Sequence, residues 1–203
     1  MAKIKLTKNE LKKKKDALKM YRRYLPTLQL KKQQLQMEIR GVEARLEQLL
    51  AQKAAFEKAF EAWIAVFSEP QYTHDQNGMP LLNIKKTIVS EGNIAGVTIP
   101  VFESVEFDLS EYDLFLTPLW VDKALELMKN VLSVDVEYSV VEKQKDLLMS
   151  ELRTTTQRVN LFEKVKIPET LADIKRISIY LGDQQTAQVV RGKIAKNKVG
   201  GRE

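Results

Sequence analysis

A heptad seam of apolar residues runs along the first arm of this chain and is too long for any compact domain. Counting in sevens from Leu11 gives Leu11, Leu18, Leu25, Lys32, Ile39, Leu46, Lys53, Phe60 and Phe67. The companion series three residues on gives Lys14, Tyr21, Leu28, Leu35, Val42, Leu49, Phe56 and Trp63. Apolar residues alternating at three and four keep one stripe of a helix turned toward a partner helix, the pattern of a coiled coil. A helix packed on a globular core needs only a few such turns. If residues from about 5 to 67 are all helical, the arm is on the order of 90 Å long at ~1.5 Å per residue. Pro26 stands inside the seam and predicts either a kink or a helix that restarts there, at a cost of roughly 3 kcal/mol if it is held in a helix interior.

A second seam lies near the other end. Ala124, Val131, Tyr138, Lys145, Leu152 and Val159 recur in sevens, accompanied by Leu127, Val134, Val141, Leu148, Thr155 and Phe162. It ends at QRVNLFEKVKIPE, where Asn160 is a weak helix former and Pro168 predicts a break or kink. A weaker stripe continues through Leu171, Ile174, Ile177 and Leu181 before Gly182 and a basic tail. Two seams of similar length, separated by a short middle segment, pair by folding back on each other.

The middle segment differs in charge and in pattern. Residues 69–117 hold two lysines against eight acids, a net −6, so the flanking arms carry +12 of the chain's +6 total. Pro and Gly cluster there, and LNIKKTIV, SEGNIAG and VTIPVFESVEF read as β-branched strands around a Gly/Asn turn, with Pro100 confining its strand to an edge or a bulge. SEYDLFLTPLW reads as a turn or short helix into the second arm. The expected fold is therefore mainly α: a long antiparallel two-helix coiled-coil hairpin with a small β-hairpin-containing lobe at the bend. Its segments are an N-terminal arm over 1–68, an acidic lobe over 69–117, and a C-terminal arm with a basic tail over 118–203.

No feature of the sequence assembles into a catalytic or cofactor site. There is no cysteine, hence no disulfide and no thiolate ligand or nucleophile, and this fits a reducing cytoplasmic compartment. GNIAGV lacks the lysine of a phosphate-binding loop and precedes a strand rather than a helix. The single histidine, His74, lies in a loop beside Asp75 without further ligands at metal-binding spacing. The acids Glu103, Glu106, Asp108, Glu111 and Asp113 read as a solvated or partner-facing surface, and Trp63 and Trp120 as packing residues near the lobe. The N-terminus is basic with no apolar stretch behind it, and no run of about 18 apolar residues occurs, so neither a standard secretion signal nor a membrane span is expected. Lys12–Lys15 and the tail cations Arg191, Lys193, Lys196, Lys198 and Arg202 could meet a phosphate backbone. That keeps a nucleic-acid-binding or scaffold coiled coil open as the alternative, although aromatic residues for base stacking are missing from both ends.

QRVNLFEKVKIPE followed by LADIKRISIYL, together with NIAGVTIPVF in the middle segment, resembles the paired motifs of the D subunit of the V/A-type rotary ATPases, in a bacterial branch. The resemblance spans nearly the whole chain. It implies a non-catalytic central rotor shaft without a cofactor, transmitting torque between a ring of catalytic A and B subunits and a membrane ring that moves protons or sodium ions. It further implies the F subunit and a funnel-like subunit as neighbours, with no direct membrane insertion. The complex would sit at the inner face of the plasma membrane. Arg158, Asn160 and Glu163 match the motif's polar positions and are expected to face partners. The cations Arg191, Lys193, Lys196 and Lys198 are expected at the inserted tip.

Overall fold

The computed structural model describes residues 5–61, 81–110 and 120–200, with side chains omitted for Phe60 and Glu61. Described elements run α1 (Lys8–Glu61), β1 (Leu82–Ile94), β2 (Val97–Leu109), α2 (Trp120–Asn160), a π-helical turn (Leu161–Lys166) and α3 (Ile167–Gly200). The fold is mainly helical, a helical hairpin with one two-stranded antiparallel sheet. Its residues group into two units, one formed by residues 33–152 and the other by residues 1–32 with 153–203.

The start of α1 is written in the sequence TKNE. Thr7 Oγ1 accepts the Glu10 N–H at 3.3 Å, and the Thr7 carbonyl accepts the Leu11 N–H at 3.0 Å. The first bond satisfies an amide that the first turn of a helix leaves without an internal partner, and the second is the first regular bond of the helix. The helix does not restart at Pro26: α1 runs through it as one helix of 54 residues. Pro26 is exposed, so the carbonyl that it leaves without a helical donor faces water rather than a packed seam.

In the unit of residues 33–152 the predicted seam is the core. Leu35, Ile39, Val42, Leu46 and Leu49 of α1 are buried against Val141 and Leu148 of α2, with Val134, Tyr138 and Leu152 packed beside them. Glu43–Lys145 (3.0 Å), Arg45–Glu137 (2.6 Å) and Lys53–Asp135 (2.7 Å) flank the seam, and their numbering falls on α2 as it rises on α1, so the helices are antiparallel.

The β-hairpin lies against this same core. Its strands are 13 residues each and longer than expected, because SEGNI belongs to β1 and the turn is Ala95–Gly96 alone. Both turn residues have positive φ, 51° and 77°, as a two-residue hairpin turn with the twist of its strands requires. Asn93 Oδ1 accepts the Gly96 N–H at 3.0 Å and holds the turn closed. Ile99 is buried among the seam leucines, with Ile94, Ala95 and Val97 against it, so the hairpin tip seals one side of the coiled coil. Pro100 is tolerated as expected of an edge, in a sheet of only two strands; its carbonyl accepts Gln144 Nε2 of α2 at 2.5 Å. Two register irregularities, one leaving Lys85 unpaired and one Glu103, divide the ladder. SEYDLFLTPLW lies mostly outside the described residues.

In the unit of residues 1–32 and 153–203, Thr155, Val159, Thr170, Asp173 and Ile177 are buried. Of the stripe expected past Pro168, Ile177 is buried and Ile174 and Leu181 are half-buried, but Leu171 is 41% exposed, and the polar Thr170 and Asp173 are buried instead. Pro168 does not break the helix either. The turn before it is wider, with the Ile167 N–H bonding the Phe162 carbonyl five residues back. A π turn relieves the crowding that a proline ring causes against the preceding α turn.

Candidate functional site

The residues expected to face partners lie at two places on the second arm. Val159 is buried and turns inward, so Arg158 and Asn160, about 100° to either side of it on an α-helix, fall on opposite flanks and are both exposed. Glu163 is exposed in the π turn. Leu161 and Val165, 44% and 49% exposed, add apolar surface beside them.

Arg191, Lys193, Lys196 and Lys198 stand on the last turns of α3, where every residue from Gly182 to Gly200 is exposed. Arg191 and Lys198, seven apart, share one face of the helix, while Lys193 and Lys196 occupy the opposite one. Val189, Val190, Ile194 and Val199 are also exposed, at 64%, 50%, 52% and 77%. A helix polar on several faces and apolar between them, uncovered by any of the described residues, is suited to insertion among other surfaces. Arg202 lies outside the described residues.

Between these two places sits an ion pair that sequence reading missed. Lys14 Nζ of α1 lies 2.8 Å from Asp173 Oδ2 of α3, and Asp173 is buried. The hydrogen bond to the Asp173 carboxylate raises the Lys14 pKa above its ordinary value of 10.5, against the lowering effect of burial. The signal was available: a lysine on an apolar seam calls for an acid on the facing one. Because the folded-state pKa is raised, the stabilisation is fully present below 10.5 and is lost as pH climbs through the higher folded value. Asp173→Ala is expected to cost roughly 1–3 kcal/mol at neutral pH. The melting-temperature gap between parent and variant narrows in strongly alkaline buffer, where Lys14 loses its charge. A gap that stays constant across that range would show that the pair contributes nothing through charge.

Of the residues weighed for chemistry, Glu103, Glu106 and Asp108 are exposed along β2, and Glu106 stands opposite Lys86. Trp120 opens α2, half-buried. His74, Asp75, Glu111, Asp113 and Trp63 lie outside the described residues. Among the described residues no group of three or more His, Asp or Glu is placed to hold a metal ion, and no helix is long and apolar enough to cross a membrane.

The model of the family described as the ATP synthase D subunit matches residues 10–197. The chain belongs to the ATP synthase D-subunit family. It is similar to the V-type ATP synthase D subunit of Borreliella burgdorferi, at 52% identity over 98% of this chain and 96% of the relative. It is also similar to that of Chlamydia muridarum, at 35% over 97% and 96%, and to that of Chlamydia trachomatis serovar L2, at 36% over the same shares. Membership makes it a non-catalytic component of a rotary ATP synthase complex, the stalk subunit that couples the nucleotide reaction to ion transport.

Proposed function

We propose that α3 beyond Gly182 is the tip of the central shaft, inserted into the ring of catalytic A and B subunits, and that the outward face around Arg158, Asn160 and Glu163 meets neighbouring subunits. The F subunit and a funnel-like subunit contact the shaft nearer the β-hairpin, and the complex works at the inner face of the plasma membrane. The observation that carries this reading is the exposure of every residue from Gly182 to Gly200, in a chain whose other helical stretches keep at least a half-buried stripe. A helix left uncovered by the described residues of its own chain supports an occupied position among others.

A shaft needs stiffness and asymmetry rather than chemistry. Two helices locked along an apolar seam resist bending better than either alone, and an asymmetric rod in a ring of three equivalent sites favours a different conformation at each one in turn. Cations on opposite faces of the tip would meet acidic surface in the ring at each rotary position. The test is co-expression with A, B and F subunits. A stable assembly whose ATP hydrolysis turns a bead attached to the shaft supports the reading. Failure to co-purify with A and B, together with steeply salt-dependent binding to DNA, would replace it with the nucleic-acid alternative.

A further inference from the structure

The seam does not keep one spacing through QRVNLFEKVKIPE. Up to Phe162 the inward positions follow the heptad, with Thr155 and Val159 buried and Phe162 half-buried. Carried forward by seven and fourteen, Phe162 would be succeeded by Glu169 and Arg176, yet both are exposed. Thr170 and Ile177 are buried instead, each one position later, and Ile167, Ile174 and Leu181 are half-buried on the same shifted count from Val159, although buried Asp173 keeps to the original one. The second arm thus holds one residue more than its seam requires. In an α-helix a surplus residue would rotate everything after it by about 100° and turn the stripe out of the interface. The π turn takes up that residue within one wide turn, so Ile177 remains fully buried.

The facing helix is weakened at the same level. Tyr21 of α1 packs its ring on Phe162 of the π turn, with centroids 5.3 Å apart. Pro26, little more than one turn further along α1, lacks the N–H that would hold the Arg22 carbonyl. Burial is thin there as well: no residue of the π turn is buried, and none of α1 is from Lys8 to Gln34.

We propose that the π turn Leu161–Lys166, packed on α1 at Tyr21 just ahead of Pro26, is a joint at which the paired helices bend and twist more readily than on either side. Pro168 fixes its position. A residue without an N–H cannot complete an α bond to the Lys164 carbonyl, so the surplus residue is not handed on into α3 by exchange of hydrogen-bond partners. The second arm is buried before the turn at Thr155 and Val159 and after it at Thr170, Asp173 and Ile177, which keeps the remainder stiffer. The proposal rests on the backbone of this chain alone and holds whatever the chain assembles with.

Amide hydrogen exchange on the full chain tests it. Amides of residues 162–167 are expected to exchange roughly tenfold faster than those of residues 140–156 and 171–180, the signature of easier local opening. Deleting Lys164 in combination with Pro168→Ala removes the surplus residue and the need for the wide turn. Exchange there should slow to the rate of its neighbours, and the melting temperature should be no lower than the parent's. Deleting exposed Asp146 instead, in a stretch with no surplus, throws the downstream seam out of register and should lower the melting temperature by on the order of 10 °C. Uniform exchange in the parent would overturn the joint. A Lys164 deletion that melts as low as the Asp146 deletion would overturn the account of the extra residue.

Discussion

Leu148→Asp melts on the order of 10 °C below the parent and loses helical signal at ambient temperature, while Leu147→Asp, one residue away, changes almost nothing. Leu148 is fully buried in the seam against α1, whereas Leu147 is 43% exposed. An aspartate at 148 would stand within the apolar cluster of the seam, and an uncompensated buried charge costs roughly 3–5 kcal/mol. At about 2–4 °C per kcal/mol for a chain of this size, the shift is easily resolved by circular dichroism. Equal melts for the two variants would mean that α1 and α2 are not closed on each other through this face.

The second large effect concerns function. Removing residues 183–203 deletes the stretch in which every described residue is exposed, and with it Arg191, Lys193, Lys196 and Lys198. It spares Thr155, Val159, Thr170, Asp173 and Ile177, which hold the helices of that unit together. The truncated chain is therefore expected to melt within a few degrees of the parent and still to bind the F subunit. Coupling between ATP hydrolysis and rotation should fall sharply, because the ring loses the part of the shaft proposed to reach furthest into it. Torque measured in a single-molecule assay decides the matter. Undiminished torque would show that the tail is not the working tip, and lost binding to the F subunit would place that contact on the tail instead.

The seams were legible because every one of their positions answers to one rule. From Leu35 to Leu49 and from Val141 to Val159, the residues counted in sevens are those that the structure keeps from solvent. The rule stopped working past Phe162: apolar character marked Leu171 as inward, but Leu171 is exposed and the polar Thr170 and Asp173 are buried. Both are polar and satisfied, Thr170 by the Lys166 carbonyl at 2.5 Å and Asp173 by Lys14, so a search for apolar stripes passes over them. The hairpin was legible in its strands but not in its turn, since Ala95 carries no mark of the positive φ that it adopts. Partner contacts were readable only through the resemblance, because an exposed charge on a helix looks the same whether water or another protein covers it.

The lysines on the seams also determine what this chain can pair with. Lys14, Lys53 and Lys145 occupy positions that a coiled coil fills with apolar residues, and each finds its acid on the opposite arm: Asp173, Asp135 and Glu43. Two first arms laid side by side in parallel register would set Lys14 against Lys14 and Lys53 against Lys53, with the matching acids left on the arms excluded from the pair. Like charges facing across an interface penalise the wrong partner more than unlike ones reward the right one. The same three positions that weaken the hydrophobic seam thus favour pairing between the two arms over pairing of two first arms in parallel register.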